Sequence, residues 1–233
     1  GVLWSGMTPE GNLAGITGLR EMMHAAGWPV GRIVRTQLFL KDVPASVVPT
    51  ALAGQIDTSQ LLSLRHPLRK GSGIRSVESG ELTCLFTGRP VLEDALAGIS
   101  GELLVQPYQL FLAEQAMRLS GEGPTLLLAD LGEHAIDMAI ASGNLLRFCN
   151  TFKINTVEDA AYHLLNLWRH QEDKPAVLTC GRFTGDGRAL GLISPYIPNL
   201  SHVKAMDEDE TTASLPSAAS SLSLLLNYRR CVS

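Results

Sequence analysis

The strongest periodic signal in the chain runs from Thr125 to Cys149. Thr125–Ala129 is an unbroken apolar run, the pattern of a strand covered on both faces. After it Ile136, Met138 and Ile140 alternate with Ala135, Asp137 and Ala139. A Ser142-Gly143-Asn144 turn leads into a third run, Leu145–Phe152. These three segments predict an antiparallel meander. Thr156 followed three residues later by Asp159 resembles a capping box and predicts a helix to about His170. Its apolar face carries Ala160, Ala161, Leu164, Leu165 and Trp168. The pattern then predicts a strand over Ala176–Cys180, a Gly-rich turn over Gly181–Gly187 and a short helix near Ala189–Ser194. A strand near His202–Met206, an acidic loop and an apolar C-terminal helix follow.

The first half is less regular. Val2-Leu3-Trp4 is a short strand candidate, and Asn12 can cap a helix from Leu13 to about Ala26, closed by Gly27 and Pro29. Ile33–Leu40 predicts a strand, and Val47–Gly54 and Ser59–Leu64 predict short helices. Ile74–Thr87 is two alternating runs around Ser79-Gly80, a hairpin signal. Pro90 opens a helix over Val91–Ala97, with Glu93 and Asp94 in its first turn, where they favour the helix dipole. Leu103–Val105 predicts a small strand, and Pro107 starts a helix to Leu119. The order of elements in this half matches that of the second half without its first two strands. Two such units side by side predict a two-lobed α/β protein with a cleft between the lobes.

A chain of 233 residues that is 45% hydrophobic can bury a core of this size. Nineteen Lys and Arg against 23 Asp and Glu leave a net charge of −4, which offers nucleic acid or an acidic membrane no overall attraction. No apolar stretch approaches the roughly 18 residues of a membrane helix, so membrane insertion is not expected. No basic segment followed by an apolar core marks a signal peptide at the N-terminus. Cys84, Cys149 and Cys180 each sit in an apolar run and are expected as buried reduced thiols, which favours a cytoplasmic setting.

Asp130-Leu131-Gly132 ends the first strand of the meander, where phosphate-handling proteins often place a turn. Gly71-Ser72-Gly73 precedes a hairpin pattern and not a helix, so it is expected as a turn. His163 and His170 share a helix face but stand about 10 Å apart, too far for one metal ion. "RHPLRKGSGIR" gathers Arg65, His66, Arg69, Lys70 and Arg75 without an acid or an interleaved aromatic, and is expected as a solvated loop before a nucleic-acid contact. Asp207–Glu210 is likewise expected as a solvated loop and not a cation cage.

The doubled order of elements resembles the actin-like (ribonuclease-H-like) ATPase fold. The segments "GELLVQPYQLFLAEQA", "LLLADLGEHAIDMAIASGNLLRFCNTFKINTVEDAAYHLLNLW" and "AVLTCGR" carry the resemblance, which runs from about Gly11 to Leu226. The chain resembles a bacterial domain-of-unknown-function family with that fold. It is more distantly similar to actin-like assembly proteins of type IV pili. The resemblance implies two lobes, residues 1–120 and 121–233, the first without its N-terminal strands. It also implies a nucleotide site at Asp130, Gly132 and Gly181. ATP-using members follow the Asp-x-Gly with a small residue and a hydroxyl; Glu133 and His134 stand there instead. A carboxylate about 4 Å from a phosphate costs roughly 1 kcal/mol in water and about 4 near a protein surface. The Gly-Gly of the nucleoside end reads Cys180-Gly181, and another Gly-Gly position reads Asn155-Thr156. The expectation is therefore a degenerate site with no catalytic residue, metal or cofactor, in a cytosolic component that assembles with an unidentified protein. The alternative is a switch that binds ATP with Mg²⁺.

Overall fold

The computed structural model describes residues 33–41, 43–55, 57–68, 73–97, 100–121, 123–181 and 188–203. The N-terminal strand and helix, the turn after Gly181, the acidic loop and the C-terminal helix expected from the sequence lie outside these residues. The chain divides into two compact units inside one helix, between Phe111 and Leu112.

The N-terminal unit holds two sheets. In the first, β1 (Ile33–Leu40) pairs in parallel with β5 (Ser100–Pro107). The second is antiparallel, in the order β2–β4–β3, from β2 (Ala45–Pro49), β3 (Ile74–Ser79) and β4 (Leu82–Thr87). The central strand β4 is buried from Leu82 to Phe86. Gly80, with φ 57°, makes the β3–β4 turn in the left-handed region that glycine enters without strain. Helices α1 (Thr50–Ala53), α2 (Thr58–Arg65) and α3 (Pro90–Ala97) complete the unit. Residues 47–49, expected as the start of a helix, belong to β2 instead. The β-branched pair Val47-Val48 finds cross-strand partners in Cys84 and Thr83, and Pro49 ends the strand.

Helix α4 (Tyr108–Ser120) starts in this unit. Phe111 stacks at a tilt on Phe39, ring centroids 4.8 Å apart, and Tyr108 carries Lys41 Nζ 4.4 Å above its ring. From Leu112 on the helix belongs to the C-terminal unit, where the Ser120 hydroxyl bonds to Pro124 O and Ala141 O and accepts from Gly143 N.

The C-terminal unit is built on one sheet in the order β10–β9–β6–β7–β8. Its strands are β6 (Leu126–Leu131), β7 (Ala135–Ser142), β8 (Leu145–Lys153), β9 (Ala176–Cys180) and β10 (Leu200–His202). β6, β7 and β8 form the antiparallel meander, while β9 joins β6 and β10 joins β9 in parallel. One face carries Leu127, Ala129, Leu131, Ile136, Met138, Ile140 and Val177 into a core with Val157, Ala160, Ala161 and Leu164 of α5 (Val157–Arg169). Ala189 and Ile193 of α6 (Arg188–Ile193) join them.

The expected capping box is formed: Thr156 Oγ1 accepts from Asp159 N at 3.1 Å, and Asp159 Oδ2 accepts from Thr156 N at 3.1 Å. At the other end of α5, Lys174 stands at φ 42°, rare for a residue with a Cβ. Its ammonium donates to Arg169 O and Gln171 O and lies over the Trp168 ring, which holds that turn. The strand expected near His202–Met206 begins earlier, at Leu200, because Leu200, Ser201 and His202 are the residues in register with β9.

Candidate functional site

β6 is the strand at which the sheet changes direction: β9 runs parallel to it on one side and β7 antiparallel on the other. Ligands in open α/β sheets tend to bind beyond the carboxyl ends of the strands. Asp130 lies there and is 1% exposed, paired in register with Cys180 on β9 and with Asp137 on β7. Gly181 follows Cys180 at φ 98°. A Cβ on Gly181 would fall inside van der Waals contact with Asp130 Oδ1 and 2.7 and 2.8 Å from Leu131 O and N. The structure thus brings Asp130 and Gly181, 51 positions apart in sequence, into one corner, and Gly181 is the residue type that allows it.

Gly132 closes the turn between β6 and β7, its N–H donating to Ala135 O at 3.0 Å. Glu133 is half-buried and His134 exposed at the tip. His134 O accepts from Ile154 N, which ties the tip to the end of β8. Asn155 and Thr156 both donate backbone N–H groups to Asp159 Oδ2, at 2.9 and 3.1 Å. These bonds hold the Asp159 carboxyl below the usual carboxylate range, the Asn155 N–H contributing most.

Asp137 is the site residue that sequence reasoning passed over. It is 2% exposed, directly opposite Asp130, and Thr151 Oγ1 donates to its Oδ1 at 2.5 Å. Thr151 thus supplies the Asp137 carboxyl with a hydrogen-bond donor. The register was available in the sequence. A tight turn centred between Glu133 and His134 places Asp130 and Asp137 at equal distances on either side.

Other sequence candidates have structural roles. Arg75 pairs with Glu93, and its guanidinium lies 5.5 Å from the centroid of the Phe86 ring. The His66 ring lies within hydrogen-bond distance of Ala45 O, and the His163 ring stacks on Phe152 with centroids 4.7 Å apart. Burial pushes the Cys84 thiol up to about 12, so it stays protonated and unreactive. Cys84, Cys149 and Cys180 form no disulfide. Among the described residues, no three His, Cys, Asp or Glu side chains come together to hold a metal ion, and no helix is long and apolar enough to cross a membrane.

A central strand ending in Asp-x-Gly, an antiparallel meander on one side, parallel strands on the other and helices between them define an actin-like ATPase fold. Solved structures agree. The chain is similar, at 16% identity and TM-score 0.64, to a Bacteroides thetaiotaomicron protein with an actin-like ATPase fold and unknown function, over 80% of this chain and 75% of that one. It is similar to a chain of the PilM–PilN type IV pilus biogenesis complex at 14% identity and TM-score 0.62, over 97% of this chain and 88% of that one. It is also similar to the ethanolamine utilization protein EutJ from Carboxydothermus hydrogenoformans at 9% identity and TM-score 0.53, over 96% and 79% of the two chains. Residues 34–200 match the family described as Protein of unknown function (DUF3822), and the chain belongs to that family. No curated protein matches it.

Proposed function

We propose that this protein is a non-catalytic member of the actin-like fold that works as a cytoplasmic interaction or assembly component, with a degenerate nucleotide site. One observation carries the reading. At Gly132, Asn155 and Thr156, positions that the resemblance to ATP-using members singles out, the backbone N–H groups are taken by Ala135 O and Asp159 Oδ2. A phosphate site needs converging amides with no other partner, and the bonds these three make support the degenerate reading. Glu133 and His134 stand where relatives have a small residue and a hydroxyl. The neighbour PilM is found in a complex with PilN, which supports a protein as the partner here. With Arg75 engaged by Glu93, the basic segment offers nucleic acid one cation fewer.

A second reading, a nucleotide-binding switch, is favoured by Asp130 and Asp137 facing each other at the end of β6. Their oxygens are hard donors of the kind Mg²⁺ takes. Calorimetric titration with ATP and ADP in the presence of Mg²⁺ separates the two. The first reading expects no heat at millimolar nucleotide. Sub-millimolar binding that is lost in Asp130→Ala would overturn it in favour of the second.

A further inference from the structure

We draw no further inference here: the strongest candidate, the pair of buried carboxylates that Asp130 and Asp137 set opposite each other on β6 and β7, belongs to the site already described, and an acidic pair alone shows no ligand beyond it.

Discussion

Each unit of the protein contains a corner where a glycine backbone is pressed against a carboxylate, and the two corners are built differently. In the N-terminal unit, a Cβ on Gly88 would meet Glu93 Oε1 at 2.7 Å and Arg75 Nη1 at 3.1 Å, both at the far ends of flexible side chains. Glu93 there is fully employed: it pairs with Arg75 and accepts from Arg89 N at 2.8 Å at the start of α3. In the C-terminal unit, a Cβ on Gly181 would meet Asp130 and also the Leu131 backbone, at a φ of 98°. The first corner can yield by moving side chains. The second can yield only by moving a strand. A shared motif of glycine against acid therefore marks an adaptable joint in one place and a rigid one in the other.

The largest test of that contrast is Gly181→Ala against Gly88→Ala. Strain at positive φ and overpacking against backbone together cost on the order of 3 kcal/mol or more at Gly181, while Gly88→Ala costs about 1 kcal/mol or less. Urea unfolding of both variants measures the gap, and equal costs would remove the distinction. Next comes Thr151→Val, which removes one hydrogen bond of buried Asp137 and is expected to cost about 0.5–1.5 kcal/mol, the net contribution of a typical hydrogen bond. If Asp137→Asn relieves most of that loss, the cost lies in the facing carboxylates and not in packing at Thr151. Arg75→Ala tests the adaptable corner. Arg75 is half exposed at 48%, so solvent screening limits its loss to about 1 kcal/mol by thermal or urea unfolding.

The smallest effect concerns an exposed carboxylate. Asp159 titrates below the usual range because Asn155 N and then Thr156 N donate to it. Its folded-state pKa is depressed, so its stabilisation is present above the unfolded value of about 4 and is lost as pH falls through the lower folded value. Melting temperatures of the wild type and Asp159→Asn should therefore differ most near neutrality and converge as the pH falls through that lower value. A gap that widens with acid would reverse the assignment.

Much of the C-terminal unit was legible from the sequence because its elements are local. The apolar run, the alternation on β7, the turn at Gly143 and the Thr156–Asp159 box each report on near neighbours. β2 was not legible, because five residues ending in proline become a strand only through β4, which lies more than 30 positions away. At the candidate site, Asp130, Gly132 and Gly181 could be named, but what their neighbours do could not. Asp137 read as one of the polar positions of an alternating strand. In the structure both faces of β7 are covered, so that position is buried too. The roles of Asn155 and Thr156 emerge only when their amides are seen to be held by Asp159.

The two kinds of strand pairing around β6 also imply an order of assembly. β6, β7 and β8 are joined by short turns, and the Ser120 hydroxyl fastens the end of α4 to that hairpin across only 21 to 23 residues. β9 reaches β6 over a separation of 50, Leu126 to Ala176. Loop closure makes the local pairings the faster ones. The meander, with Asp130 and Asp137 already opposed, is then a template that exists before β9 arrives, and the Gly181 contact that seals the corner is among the last to form.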